Sequence, residues 1–354
     1  MAGVDVKRLR PPDAGTVALV TPDRDLGWND ALEASWQAIG APGRPGRVSR
    51  IDRGWSTVMR HARDTDPLRT RNLYVDVAIG DWVVPSDDEE QIDHVIERTS
   101  AFVRRASFDG DRFEADALAA NIDVVFLVHA LGSPPNQRRL ERELVLAFDS
   151  GAEPVVLLTK VDIVDDPEPA RRELAEVALG VPVLVASGLE SIGLEPIREY
   201  AAGNRTLAFL GASGVGKSTL VNALLDDEVM DTGEVRVGDQ RGRHTTVAAQ
   251  LLRLRGEGWL IDTPGVRAVS LWLSGDGIER AFGDVFELMD DCRFRDCKHD
   301  REPGCAVQQA IAEGRLDPAR LESLQRLVAE EAALEAEQER FIRRGDRRGA
   351  RKPR

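Results

Sequence analysis

The sequence of 354 residues has three cysteines, two tyrosines and no apolar run of 18 or more residues. Three cysteines, an odd number confined to fourteen positions, exclude a disulfide framework and point to a metal site in a reducing compartment. Without a long apolar run there is no membrane span, and Met1–Arg10 followed by the short run Ala14–Val20 and a charged segment does not read as a secretory signal. A cytoplasmic protein is therefore expected. Positive charge is in deficit: 47 Lys and Arg against 61 Asp and Glu leave a formal net charge of −14. This excludes a wholesale polyanion binder and restricts any nucleic-acid contact to local basic patches. What the chain does have is 42% hydrophobic residues, ample for real cores, and a length that calls for two or three domains.

Composition and punctuation divide the chain into five parts. Residues 1–44 read as a polar leader with one helix starting at Asn29 and carrying Leu32, Trp36 and Ile39 on one face; Trp28 and Trp36 are expected to pack it on a neighbouring domain. Residues 45–107 hold five short alternating runs, 47–53, 55–59, 73–79, 82–84 and 91–97, separated by Gly54, Gly80 and Pro85. Such a pattern predicts a small β-barrel of the OB-fold type. Residues 108–272 alternate strands and helices: strands 121–131, 154–160, 181–186, 206–210, 247–254 and 258–261, with helices over 137–148, 169–179, 194–202 and 218–225. Continuous β-branched runs between amphipathic helices imply a parallel sheet covered on both faces. Residues 273–342 form a mostly helical segment, with a helix over 306–313 and a longer one capped by Asp317. The last twelve residues, 343–354, read as a basic, disordered tail.

The central α/β segment carries the chemistry. Gly211-Ala212-Ser213-Gly214-Val215-Gly216-Lys217-Ser218-Thr219 fits G-x-x-x-x-G-K-[ST] between a strand and a helix, the context in which that pattern cradles phosphates. Its glycines let backbone N–H groups point inward, Lys217 would reach the β and γ phosphates, and Ser218 would ligate Mg²⁺. Thr159-Lys160-Val161-Asp162 follows another apolar strand, and the Asp162 carboxylate can accept from both N1–H and N2–H₂ of guanine, a pair that adenine does not offer. Ser187 and Gly188 follow the next strand and would sit beside it at the carboxyl edge of the sheet. Asp262-Thr-Pro-Gly265 supplies a carboxylate for the Mg²⁺ shell and the Gly265 N–H for the γ phosphate. Between cradle and aspartate, Arg241-Gly-Arg-His-Thr-Thr246 lies where a nucleotide-sensing switch would fall. Thr245 or Thr246 would complete the Mg²⁺ coordination, Thr246 being favoured. These are GTPase elements in a rotated order, with the base reader first, as a circular permutation produces.

The three cysteines fall with one histidine as Cys292-x₄-Cys297-x-His299-x₅-Cys305, a complete Cys₃His set for one tetrahedral Zn²⁺. With all four positions filled by protein, the ion is expected to be structural.

Barrel, permuted GTPase and Cys₃His cluster together resemble the ribosome small-subunit-dependent GTPase A family over residues 26–340. Leu26-Gly-Trp-Asn-Asp30, Ala119-Ala-Asn-Ile-Asp123, Gly211–Thr219, Gly242-Arg-His-Thr-Thr246, Asp262–Gly265 and Cys292–Val307 carry the resemblance. It implies a multidomain fold: an OB-fold barrel, a permuted P-loop GTPase domain and an α-helical zinc-binding domain. It also implies GTP hydrolysis to GDP stimulated by the small ribosomal subunit, a part in that subunit's late maturation, and contact with its rRNA; a monomer is expected. Val266 stands where Ras-like enzymes place a water-orienting glutamine, so intrinsic hydrolysis should be slow. His244 is the catalytic candidate that the residues and the resemblance both suggest, with Lys217. Two competing readings remain at this point: an ATP-using P-loop kinase or transport ATPase, and a non-enzymatic zinc and OB-fold RNA-binding adaptor.

Overall fold

Asn29 opens the first helix by accepting from the Leu32 N–H at 3.0 Å, and Gly40, with φ of +64°, closes it. In the computed structural model, which describes residues 21–41, 43–73, 75–105, 115–226, 249–262 and 275–349, this helix, α1 (Asp30–Ile39), buries Leu32 and Trp36. Trp28 stacks edge-on against both Trp36 and Trp82, so Trp28 and α1 are a packed part of the core.

Five strands follow: β1 (Gly46–Asp52), β2 (Trp55–Met59), β3 (Leu68–Arg71), β4 (Trp82–Pro85) and β5 (Ile92–Val95). β2 pairs with β1 and β3, and β4 with β1 and β5, all antiparallel. A single parallel bridge, Arg71↔Gln91, closes the ring. The third strand is not where periodicity put it. The pairing of β2 is consumed by Leu68–Arg71, and Asn72 ends that strand by donating to the Gly54 carbonyl and the Ser56 hydroxyl. Within the predicted run 73–79, Val75 and Val77 pack on the core, while pairing is confined to an isolated bridge from Ile79 to Ala119. Alternation there signalled burial, not a ladder. Strands β6 (Ala101–Arg105) and β7 (Ala115–Ala120) then pair with each other, a hairpin that the sequence pattern did not announce; the expected boundary at residue 108 lies outside the described residues.

The α/β unit runs β8 (Val124–Ala130), α2 (Gln137–Ser150), β9 (Glu153–Thr159), α3 (Glu168–Val177), β10 (Val183–Val185), α4 (Leu194–Glu199), β11 (Thr206–Gly211), α5 (Lys217–Leu225), β12 (Gln250–Arg253) and β13 (Trp259–Asp262). Its strands lie in the order β10-β9-β8-β11-β13-β12. All neighbours are parallel except β12, which is antiparallel to β13. The wholly parallel sheet expected is corrected here. Only residues 254–258 separate β12 from β13, and a parallel return needs a crossover of a dozen residues or more.

Ring and α/β unit are not separate sheets. β12 also pairs with β1 through Arg50↔Gln250, giving one eleven-stranded sheet. Across the same seam Arg47, 1% exposed, donates to the carbonyls of Leu26, Gly80 and Asn121 and, at 2.7 Å, to the Thr206 hydroxyl at the root of β11. Burial lowers its pKa to about 10, with Asp123 and Asp81 opposing the shift, so the guanidinium stays charged at neutral pH. Four acceptors around its five N–H groups are what make a buried charge tolerable.

The chain ends in α6 (Gly275–Ala281), α7 (Gly283–Asp290), α8 (Ala306–Ala312) and α9 (Pro318–Gly349). α6 lies so close to α2 that a β-carbon on Gly277 would come within 2.7 Å of the Val145 carbonyl oxygen. Arg320 of α9 fastens the group: it bonds Glu141 of α2 at 3.0 Å, Asp284 of α7 at 2.9 Å and the Ala281 carbonyl at 2.7 Å, and lies 4.4 Å over the Phe282 ring. Residues 343–349, expected to be disordered, continue α9 as helix; 350–354 lie outside the described residues. Among the described residues no helix is long and apolar enough to cross a membrane.

Candidate functional site

Four of the predicted motifs meet at one edge of the sheet. Thr159 ends β9, Ser187 follows β10, Gly211 ends β11 and Asp262 ends β13. These are the carboxyl ends of parallel strands, where open α/β sheets bind ligands. The phosphate loop itself turns on Gly214 and Gly216, with φ of +79° and +93°, conformations that a side chain disfavours and that aim successive N–H groups into a concavity. Helix α5 starts directly after it, adding the partial positive charge of its N-terminus. Lys217 folds over the loop, donating to the Gly211 carbonyl at 2.7 Å and to that of Ala212. Ser213 and Gly214 are exposed, while Ser218 and Thr219 are half-buried in the first turn of α5.

The base-reading stretch is tied to this loop. The Thr159 hydroxyl donates to the Val215 carbonyl at 2.5 Å and faces the His129 carbonyl at 3.2 Å. Lys160 takes a left-handed conformation, φ +61°, which lays its stem along the loop; its Cε would be 3.9 Å from a β-carbon on Gly216. Asp162 stands exposed on the following turn of 3-10 helix. Ser187 is 1% exposed and caps its own loop, its backbone exchanging bonds with Ile192 and its hydroxyl accepting from the Glu190 N–H. Gly188 rests on the first turn of α5: a β-carbon there would come within 2.7 Å of the Leu220 nitrogen. The structure therefore places Thr159, Lys160, Asp162, Ser187, Gly188, residues 211–219 and Asp262 along one edge of the sheet. His244, Thr245, Thr246, Gly265 and Val266 lie outside the described residues.

The second cluster lies between α7 and α8. The ligand atoms of Cys292, Cys297, His299 and Cys305 all lie within 4.8 Å of one another. Sγ of Cys292 and of Cys305 are 3.9 Å apart, and each is 3.6 Å from Nδ1 of His299. Zinc bonds of about 2.3 Å to sulfur and 2.0–2.1 Å to nitrogen set tetrahedral edges of about 3.8 and 3.6 Å, close to the three separations among Cys292, Cys305 and His299, with Cys297 within 4.8 Å of them, so the four could hold one metal ion of this size. The loop is built to hold the set. The Glu302 carboxylate accepts from the backbone of Lys298, Asp300 and Arg301, contacts that lower its pKa, and Gln308 donates to the His299 carbonyl at 2.6 Å. Desolvation first, then the facing sulfurs of Cys305 and Cys292, push the Cys297 thiol up to about 11. A bound dication is what would keep the three neighbouring sulfurs ionised together.

The aromatic side chains Trp55, Tyr74 and Trp82 of residues 45–107 part company. Trp82 is 1% exposed and belongs to the core, and Tyr74 is outside the described residues. Trp55 is half-buried, with the guanidinium carbons of Arg69 and Arg71 5.5 and 5.2 Å from its ring centre. Sequence reasoning did not find the two arginines, because their placement depends on the register of β2 with β3. Nor did it find Arg320, Glu141 and Asp284, which meet across more than a hundred residues without a local signal.

Comparison with known proteins agrees with this geometry. A family model described as RsgA GTPase matches residues 95–272. The chain is 41% identical over 326 residues to the small ribosomal subunit biogenesis GTPase RsgA of Streptomyces coelicolor, covering 88% of this chain and 87% of that protein. It is 37% identical over 317 residues to the protein of the same name from Methanosarcina acetivorans, covering 87% and 85%. Among solved structures, YjeQ from Thermotoga maritima superposes with a TM-score of 0.58 at 26% identity, over 82% of this chain and 98% of that one. YloQ, described as a circularly permuted GTPase, shares the fold with a TM-score of 0.57 at 23% identity, over 82% and 95%. With a family model over residues 95–272 and relatives of this similarity along most of its length, the chain belongs to the RsgA GTPase family.

Proposed function

We propose that this protein hydrolyses GTP, is stimulated by the small ribosomal subunit and acts in the late maturation of that subunit, its nucleotide state governing binding and release. The observation that carries the guanine-nucleotide reading is the bond from Thr159 to Val215, which joins a base reader to a phosphate cradle at one sheet edge. Asp162 accepts from the two guanine donors, and Ser187 and Gly188 shape the loop beside the base. The N–H groups of residues 211–219 and the Lys217 ammonium receive the phosphates, and Gly265 donates to the γ phosphate. Ser218, Thr246 and Asp262 hold Mg²⁺, which when bound neutralises charge on the β and γ oxygens. Water attacks the γ phosphorus in line, the bond from that phosphorus to the β–γ bridging oxygen breaks, and GDP leaves with phosphate. Val266 cannot orient that water, so His244 or the ribosomal partner does, and the intrinsic rate is slow.

The ring of five strands, closed by Arg71↔Gln91, is read as an OB-type barrel. Its RNA-facing surface is the Trp55 indole with the guanidiniums of Arg69 and Arg71 over its ring, with exposed Arg53 two residues away and exposed Arg50, ion-paired to Asp52, on the adjoining strand. This is a local basic-aromatic patch of the kind that stacks bases and meets phosphates, on a chain whose mean charge would repel RNA. Cys292, Cys297, His299 and Cys305 hold one structural Zn²⁺. The protein is a cytoplasmic monomer that contacts the rRNA of the small subunit. Turnover of GTP with and without purified small subunits, at low salt, tests the reading. Strong stimulation is expected, and intact GTP binding with unchanged turnover would overturn it.

A further inference from the structure

One line of paired residues crosses the seam between the two halves of the sheet. Asp262, the proposed Mg²⁺ ligand at the end of β13, is the register partner of Gln250 on β12. Gln250 is in turn paired with Arg50 on β1, Arg50 with Thr57 on β2, and Thr57 with Arg69 on β3. Arg69 is one of the two guanidiniums over Trp55. Five strands thus place the magnesium aspartate and the RNA-facing arginine on one row, four steps of about 4.8 Å apart, or roughly 19 Å. We infer that this row is the path by which the γ-phosphate state reaches the barrel's basic-aromatic surface, making nucleotide and RNA binding reciprocally coupled. The inference rests on the functional reading above and adds the route.

Three features make β12 the carrier. It is short, Gln250–Arg253, it is antiparallel between two partners, and its first residue is the register partner of Asp262. Its register cannot slip by one residue without turning every side chain to the opposite face; a displacement therefore passes to β1 instead of being absorbed. A second tie reinforces the first: Arg253 donates to the Ala62 carbonyl of the barrel at 3.1 Å while lying over Trp259 of β13. On the receiving side the β1–β2 register shifts between Val48 and Arg50, and the Ser49 hydroxyl is bonded to the Thr57 carbonyl. That pins the row where it enters the barrel.

Amide hydrogen exchange of the full-length protein, loaded with Mg²⁺ and either GDP or a non-hydrolysable GTP analogue, tests the path without RNA. Peptides from β12, β1 and β2 should change protection together, while β6 and β7, which are off the row, should not. A nucleotide-dependent change at β12 and β13 with β1 and β2 silent would overturn the inference and leave the GTPase reading intact; failure to bind either nucleotide would overturn that reading instead. Fluorescence anisotropy with a mixed-sequence single-stranded RNA should show affinities that differ at least about five-fold between the two nucleotide states, with RNA shifting GTP affinity by the same factor. Gln250→Pro removes the backbone N–H at the middle of the row and should reduce that ratio below about two-fold. If it fails to fold, Arg253→Ala cuts the second tie and should lower the ratio in the same direction. Equal RNA affinities in the two wild-type states would refute the coupling, as would a ratio that survives in folded variants. RNA that binds in neither state would remove the barrel's role in RNA contact, and hydrogen exchange would still decide the path.

Discussion

Replacing Thr159 with valine keeps its shape and deletes one proton. The hydroxyl is buried, at 2% exposure, and its single hydrogen has two carbonyls to choose from, at 2.5 Å on Val215 and 3.2 Å on His129. The shorter contact is the brace between the base reader and the phosphate loop. Valine leaves the Val215 carbonyl without that donor inside a closely packed turn, at a cost of about 1–3 kcal/mol, since Thr and Val differ by the hydroxyl despite similar volume. The loss falls on the loop geometry that receives phosphates, so GDP and GTP should bind roughly 5- to 150-fold more weakly, 1.4 kcal/mol being tenfold. Thr159→Ser keeps the donor and should stay close to wild type. Thr159→Asn offers two amide protons and should bind at least as tightly. Titration with a fluorescent guanine nucleotide in Mg²⁺ buffer, with thermal melting to verify folding, measures this. A valine variant within about two-fold of wild type would refute the brace.

Asp162→Asn should abolish GTP-dependent turnover and permit xanthosine triphosphate instead, because the amide pairs with the altered base edge; unchanged GTP kinetics, read by phosphate release, would exclude a guanine reader. Purified protein should contain one equivalent of zinc by elemental analysis, lost in Cys297→Ser. Because the thiols must shed protons to bind the metal and Cys297 holds its proton up to about pH 11 without it, zinc affinity should rise with pH and fall on acidification. A pH-independent affinity would argue against thiolate ligation. Arg320→Met strands the buried Glu141 carboxylate and should cost about 3–5 kcal/mol in urea unfolding, with Glu141→Leu added on top recovering part of it. Strictly additive losses would show that the two groups do not act as a pair.

Much of the site was legible because each motif sits at a strand end, and strand ends in this unit follow from apolar runs: Leu207–Leu210 before the cradle, Val155–Leu158 before Thr159, and Trp259–Ile261 before Asp262. The metal cluster was legible for a different reason, since a separation of only thirteen positions from Cys292 to Cys305 leaves few ways to keep the ligands apart. Register was not legible. Nothing local says that Leu68–Arg71 outcompetes Leu73–Ile79 for β2, because both alternate and the choice is made by cross-strand partners. The direction of β12 was hidden in the brevity of the connection after Arg253. The seam was hidden too: a lone arginine at position 47 in a chain rich in arginine carries no sign that it will be fully buried.

That arginine also has a consequence for how the protein is made. Its Thr206 acceptor lies 159 residues downstream. At 5–20 residues per second of synthesis, about 8–30 s pass between the two residues entering the chain. During that interval the barrel can form its hairpins, but burying the guanidinium against Thr206 must wait, and a charge deprived of an acceptor is costly to desolvate. Leu26, Gly80 and Asn121 are in the chain well before that, so the guanidinium acquires its last acceptor only when the strand that leads into the phosphate loop arrives, and the seam between barrel and GTPase unit is completed late.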